Sequence, residues 1–589
     1  MKRFLSALIV AALGSLALSS CSALTGSGFV ANSTINIAQI GKLYSINSDV
    51  APIGGEQNAS ELANLTTASF FNLDASGNQV ANKLLGTVKV LSKSPLKVSY
   101  TLAASAKWSD GTAIDAADLA LSFAAGSSLA GVDFGSIRSH AGISYASLAQ
   151  PVAAGAKSIT LQFAHPVADY ENAIRLSVPA HVVAHLAGQP SGDVAADKKF
   201  VVDAVNNQDA SALKSLAEAY ANDFTVNGHL AVASDNAILI SSGAYRVEKF
   251  TSESDITLIA NKDFQQGKQT KVERVHLVYF GDATAAVAGM SSNGVDISTA
   301  EDSGLASLSN IQQLADSIKT VKVKTTVAAG STAEQVIFNF GQGSVFAQGD
   351  SAESADRALK MRQAFLNLIP KTRILEAVSQ RYNTSSSDSF VFDSNSDFYD
   401  SATRDNGSAD YLIQDVEKAS EIMKGLGIAR PETVRVVFDT DNPRAQAEWQ
   451  LLQTRASSAG FILQSVASVD PSITIATGAF DVYIGPRPLI AQPGADVFAL
   501  TNDSFNGFHS SAIDGILAKY ASAKPGLAQD EQLKNIDIEL FKEAYGLPLY
   551  EVPSMLLYTS RVAGYVPSPH GSSATWGYYN WSVKASSTK

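Results

Sequence analysis

Thiol chemistry is almost missing from this chain, which has one cysteine, Cys21, among 589 residues. A single thiol excludes an internal disulfide and a cysteine cluster holding zinc. Charge is sparse at 17% of residues, with 56 acidic against 44 basic side chains and a net charge of −12. An acidic field of this kind excludes binding of nucleic acid or anionic lipid through overall charge. Beyond the first twenty residues no long uncharged apolar run occurs, so no transmembrane helix is expected. The Gly-x-Ser-x-Gly elbow, the phosphate-binding P-loop and the dinucleotide Gly-rich fingerprint are all lacking. No repeat period or low-complexity block appears. Six of the eight histidines are isolated. The other two, His181 and His185, are four apart, as two ligands on one helix face would be, but no Glu follows His181 as in the zinc-protease motif. No metal, no cofactor and no catalytic residue is expected, and the chain is read as a non-enzyme.

What is present begins at the N-terminus. Met1-Lys2-Arg3 is a short basic start, Phe4 to Leu18 an apolar run, and Leu18-Ser19-Ser20-Cys21 brings small residues up to the lone thiol. Charge, apolar stretch and small-residue cut site in this order make a secretory signal. The run is too short for a permanent span, which needs about 20 residues. The Leu-Ser-Ser-Cys closure resembles a bacterial lipobox, which implies that Cys21 is acylated and becomes the first mature residue; the alternative is an ordinary signal with a chance cysteine. Loss of residues 1–20 removes Lys2 and Arg3, leaving 42 basic against 56 acidic residues and a net charge of −14. One acyl chain binds membranes marginally, so a multiply acylated cysteine is the sufficient anchor. The small polar residues up to 33 read as a tether.

From Ile35 onward, strand and helix patterns alternate. Leu96–Leu102 and Ser158–Phe163 alternate at period two, and Ala244–Phe250 and Asp255–Ile259 read as paired strands. Asp115 is placed to cap a helix whose buried face is Ala116, Leu119, Ala120 and Phe123. Ala358, Met361, Phe365 and Leu368 stripe a second helix that Pro370 ends. Val336–Phe340 and Phe480–Ile484 read as short buried strands. The patches Gly341–Ser354 and Ser385–Asp410, rich in Gly, Ser and Asn, read as surface loops. The mixture specifies an α/β protein with large mixed sheets.

Several of these segments together resemble the extracellular solute-binding proteins of peptide and nickel ABC importers (cluster C). They are Trp108-Ser109-Asp110-Gly111 with the helix after Asp115; Ser242-Gly243-Ala244-Tyr245 with Asn261-Lys262-Asp263-Phe264; Asn293-Gly294-Val295-Asp296-Ile297; Val336-Ile337-Phe338-Asn339-Phe340; Met361-Arg362-Gln363-Ala364-Phe365; Phe480-Asp481-Val482; and Leu547-Pro548-Leu549-Tyr550. The resemblance implies a two-lobed periplasmic-binding-protein type II fold with an extra domain, mixed β-sheets and a hinge between lobes. By analogy the chain divides into a signal peptide (1–20), a lipidated N-terminus and tether (21–33), lobe I (34–59, 165–282 and 485–589), an extra domain (60–164) and lobe II (283–484). It implies a monomeric, lipid-anchored receptor outside the cytoplasmic membrane that closes on a short peptide or other polar solute and hands it to ABC permease subunits. The alternative is a cell-envelope interaction protein that kept the fold without import.

Peptide-binding relatives carry an Asp after the Phe-Asp-Val strand that pairs with the ligand's ammonium. Counting from either end of the segment Phe480–Pro493 lands on Leu489 or Ile490 in this chain. The carboxylate is missing there, and Arg487 stands close by. Arg487 in the cleft favours an anionic ligand; in the other reading it is a solvated or ion-paired loop residue. Asp496 is the nearest replacement acid. The resemblance also nominates Tyr44 and Asn47 in the first ligand loop, Asn339 after its strand, Phe508 and His509 in a pocket-lining region, and Trp576 in the aromatic run Trp576–Trp581. Core packing, hinge hydrogen bonding or a surface turn is the competing reading for each.

Overall fold

The computed structural model describes residues 28–584. It omits 51–55, 75–78, 137–141, 165–166, 168–169, 189–192, 226–238, 253–254, 302–307, 469–470, 490–505, 524–526 and 569–572, and the single residues 348, 350, 383, 395, 429 and 441. Cys21, Ile490 and Asp496 lie outside the described residues.

Ten strands form one mixed sheet in the order Phe461–Ser465, Glu432–Val437, Val482–Pro488, Val323–Phe338, Gly546–Thr559, Ile297–Glu301, Val30–Ile40, Val272–Phe280, Asp255–Ala260 and Tyr245–Ser252. Val30–Ile40 runs parallel to Val272–Phe280, whereas the two long central strands are antiparallel. Because strand side chains alternate, Ile35 and Ile37 enter one core while Ala38 enters another. The first core also takes Tyr100, Trp108, Phe163, Tyr245 and Trp581. The second gathers Phe338, Phe346, Phe365 and Phe461 with Phe541 and Tyr545.

A separate four-stranded sheet, Gly86–Lys93, Leu96–Leu102, Ser158–Phe163 and Ala146–Leu148, lies within the first core. Leu96–Leu102 alternates between buried positions and half-buried or exposed ones, as its sequence period requires. Beside it, Asp115 caps helix Ala116–Ser127 in a reciprocal box with Asp118. Buried Asp118 accepts the Trp108 indole N–H at 3.1 Å and the Ala180 amide at 2.9 Å, and pairs with Lys198 at 3.1 Å. The Trp-Ser-Asp-Gly segment therefore serves the fold. His181 joins it, its Nε2 lying 3.2 Å from Asp110. Burial pushes the Asp110 carboxyl up, but hydrogen bonds from His181 and Thr112 outweigh it and bring the group down to about 2.

The structure departs from the sequence expectations in two places. The segment 485–589, expected in lobe I, divides. Helices Ser511–Ser522 and Leu527–Lys542 bury Ile513, Leu517, Ile536 and Leu540 in the second core, and only the end, with Tyr565 and Trp581, joins the first. The two expected surface loops are also partly interior. Phe346, Ser387, Ser389, Phe390, Val391 and Phe392 are all buried. The second segment is held inside by polar contacts: the Lys371 ammonium donates to the Ser387 carbonyl at 2.6 Å, and the Ser389 hydroxyl accepts from the amides of Val391 and Phe392.

Candidate functional site at the strand crossing

Two long antiparallel strands lie where the sheet meets both cores. Gly546–Thr559 gives Leu556 to the first core and Leu547, Leu549, Tyr550, Met555 and Leu557 to the second, and Val323–Phe338 buries Val336, Ile337 and Phe338 in the second. The first part of Val323–Phe338 pairs with the last part of Gly546–Thr559. Its second part, Thr332–Phe338, pairs with both Val482–Pro488 and the start of Gly546–Thr559, inside the second core. The ladder breaks register between Ala329 and Ala333, and again between Glu334 and Gln335. Irregular pairing lets a strand bend, so this is where a hinge motion costs least.

Arg487 sits at the first break. Ala333 is flanked by Arg487 on one side and Glu551 on the other, so the three lie abreast across three strands. Arg487 is half-buried, and Tyr483 and Gly485 share its strand face. A Cβ at Gly485 would lie 2.1 Å from the Tyr483 hydroxyl, so the phenol lies over the glycine, toward Arg487. Burial and the Glu334 charge push that phenol up, against the pull of Arg487. Glu551 is buried and accepts from the Ser394 hydroxyl at 2.7 Å; burial pushes its carboxyl up.

One residue further along lies a buried polar cluster. Glu334, fully buried, pairs with Arg444 at 2.9 Å, and Tyr550 donates to Glu448. The Arg444 guanidinium lies 5.9 Å from the Tyr550 ring centre. Burial, then the neighbouring Glu334 charge, pushes the Glu448 carboxyl well above the usual range, against the pull of Arg444 and the hydrogen bond from Tyr550. The Arg444 guanidinium pairs with Glu334 and so offsets part of the cost of burying these acids. Sequence reasoning missed this cluster. Its signal is Glu334-Gln335 set inside the apolar run Ala333–Phe338.

The residues nominated from sequence fall in separate places. Tyr44 is 42% exposed. Asn47 is fully buried; its amide donates to the Tyr220 carbonyl at 3.0 Å and its side-chain oxygen accepts from the Asp49 amide, so it fixes the loop. Asn339 donates to the Phe480 and Gly478 carbonyls and accepts from the Gly341 amide, fastening the end of its strand. Phe508 is in the second core, with its ring 4.8 Å from those of Phe340 and Tyr545. All three make structural contacts of this kind. His509 is exposed on the surface, 3.5 Å from Asp514. Trp576 lines a cavity in the first core, away from Arg487. Buried Asp481 is bound bidentately by Arg435 at 2.8 and 2.9 Å, so the Phe480-Asp481-Val482 segment is a structural anchor. Among the described residues no group of three or more His, Cys, Asp or Glu could hold a metal ion, and no helix is long and apolar enough to cross a membrane.

Two cores packed on one shared, ten-stranded mixed sheet give the α/β architecture of the two-lobed, type II binding proteins. The chain belongs to the bacterial extracellular solute-binding proteins, family 5, whose pattern matches residues 82–506. It is 22% identical over 588 residues to the uncharacterized lipoprotein Rv2585c of Mycobacterium tuberculosis, with 97% of each chain covered. Among solved structures it is similar to the periplasmic EDTA-binding protein EppA (TM-score 0.68, 18% identity, 98% of this chain and 100% of that one). It is also similar to the oligopeptide-binding protein AppA from Bacillus subtilis in complex with a nonapeptide (TM-score 0.65, 13% identity, 94% and 99% covered). At these identities the likeness establishes the type II fold and carries no ligand across. Family and fold are those of binding proteins, not of enzymes.

Proposed function

We propose that this chain is the lipid-anchored substrate-binding component of an ABC importer, and that it encloses an acid-bearing polar solute between its lobes and delivers it to a permease. The observation that carries the reading is the position of Arg487 at the register break. A cation at a hinge is drawn into the closing site, where its attraction for a carboxylate strengthens as water leaves. A planar guanidinium binds a carboxylate by two parallel hydrogen bonds. The lost ammonium-binding acid at Leu489 and Ile490 argues in the same direction. The similar protein EppA is named for binding EDTA, a polycarboxylate, which supports the reading.

Calorimetric titration with a panel of di- and tricarboxylic acids and acidic peptides tests the reading. Saturable binding that Arg487→Ala weakens at least tenfold is expected, from the loss of about 1.5–3 kcal/mol in a charge-assisted contact. Binding of neutral or cationic peptides with unchanged affinity in the variant removes Arg487 from the site. The anchor is tested by Cys21→Ser, which moves the protein from the membrane fraction to the soluble one if Cys21 carries the lipid.

A further inference from the structure

A second concavity, of about 300 Å³, lies within the elements of the first core and receives no side chain from the second. Its lining includes the C-terminal aromatic run, with Trp576, Tyr578 and Tyr579, and also Phe71, Asn72 and Glu171. The aromatic wall is pinned in place. Buried Glu61 accepts from the backbone amides of Ala574 and Thr575 at 3.0 and 2.9 Å, and Asn64 donates to Thr575 at 3.1 Å. Tyr578 packs edge-on against Tyr245 at 5.9 Å and against Tyr579 at 5.5 Å. Rings held this way form a preformed surface, which loses little freedom when a ligand arrives.

The two cations at the cavity, Lys268 and Arg175, are already engaged. The Lys268 ammonium lies 4.0 Å from the centre of the Tyr579 ring, and Arg175 stands 3.8 Å from buried Asp49. Lys268 holds the cation position over Tyr579, which disfavours an ammonium ligand there. Glu171, whose carboxyl burial pushes up, offers an acceptor, and the exposed amide of Asn72 offers both donor and acceptor. The volume stands at the small end of the range for small-molecule sites, about 300–1,000 Å³. Flat apolar faces ringed by neutral and singly charged hydrogen-bonding groups match a sugar ring, which shows C–H bonds on its faces and hydroxyls around its edge.

We infer that this cavity is a second ligand site that takes a neutral saccharide of one or two rings, stacked on Trp576 and held at its hydroxyls by Glu171 and Asn72. The site is independent of the interlobe ligand, because its walls come from one core. The free sugar and the terminal ring of a larger glycan present the same chemistry.

The test uses the mature protein against glucose, N-acetylglucosamine, maltose and chitobiose in calorimetry, and against immobilised oligosaccharides ending in the same sugars. Saturable binding is expected in at least one arm; binding to the free sugars points to a soluble ligand, and binding only to the immobilised ones to a glycan end. Trp576→Ala should weaken it at least tenfold. Asn72→Ala, an exposed change that leaves the core untouched, should weaken it several-fold, and Arg487→Ala should leave it unchanged. Absence of saturable binding in both arms overturns the proposal, as does equal affinity in Trp576→Ala and Asn72→Ala. Binding of tetramethylammonium in place of the sugars also overturns it. Loss of sugar binding in Arg487→Ala would instead assign the sugar to the interlobe site.

Discussion

Asp537 gives the sharpest pH test of the fold. It lies on helix Leu527–Lys542, fully buried, and accepts from the Phe390 amide at 2.8 Å and the Asn406 side chain at 2.7 Å. Burial pushes its carboxyl up from 3.8 to about 6, and these hydrogen bonds only partly oppose it. In the folded protein the group therefore holds its proton where the unfolded chain has released it. The contribution is fully present below pH 3.8, falls as pH rises from there, and is gone above about pH 6. The interval corresponds to about 3 kcal/mol, at roughly 1.4 kcal/mol per tenfold change in proton affinity. Asp537→Asn removes the titration. It also sets one amide N–H₂ against Asn406 or Phe390, a pH-independent cost of about 1–3 kcal/mol. The readout is native-state hydrogen exchange of residues 386–394, measured in wild type and variant side by side at about pH 4, 5, 6 and 7. The signed stability difference between the two should move by about 2.4 kcal/mol in favour of the variant from pH 4 to pH 7. A difference that stays constant across the series would refute the assignment of a proton to Asp537.

Three further perturbations probe the crossing and the first core. Arg444→Met leaves the Glu334 charge buried beside Glu448 and should cost about 3–5 kcal/mol, whereas adding Glu334→Gln should recover much of it; equal melting temperatures for the single and double variants would separate the two residues. Gly546→Ala places a Cβ 2.2 Å from the Val336 carbonyl oxygen across the paired strands, and should lower stability by about 1–3 kcal/mol in thermal melting. Trp108→Phe removes the indole donor to buried Asp118 and should cost about 2 kcal/mol; an unchanged urea midpoint would show that the bond is replaced by water.

Much of the fold is legible where a periodic pattern faces a single core. Leu96–Leu102 and helix Ala116–Ser127 fall where period and cap place them, because each buries one face and its polar positions meet solvent or the cap. The long crossing strand is legible only at its end. Val336–Phe338 is apolar, but the stretch Thr325–Thr332 is made of Thr, Ala, Gly, Ser and one Val, and stays extended because its backbone pairs with Gly546–Thr559. Composition misled at Ser387–Phe392 for a related reason. Serine suggests a surface loop, yet here its hydroxyls and the Lys371 ammonium satisfy the backbone inside the core. Helices Ser511–Ser522 and Leu527–Lys542 show the helical pattern in sequence, but nothing local in them says which core they close.

The candidate site was half legible, and the reason separates two kinds of residue. Asn47, Asn339 and Asp481 occupy segments that make the family resemblance visible, and the structure finds them tied to backbone amides, carbonyls or an arginine. Residues that hold turns and strand ends in place are the ones a fold repeats from chain to chain, so motif likeness selects for structural work. Arg487 stands out for the opposite reason, as a cation two or three residues before Leu489 and Ile490, where the pattern expects an acid. It pairs with Ala333 beside the register break, a relation set by long-range pairing that no local window contains. Glu334 is a departure of the same kind, a charge inside a buried strand, and its partners Arg444 and Glu448 lie about a hundred residues away on a helix. In a chain of this class, specificity is better sought in residues that break a pattern at a lobe crossing than in residues that fulfil it.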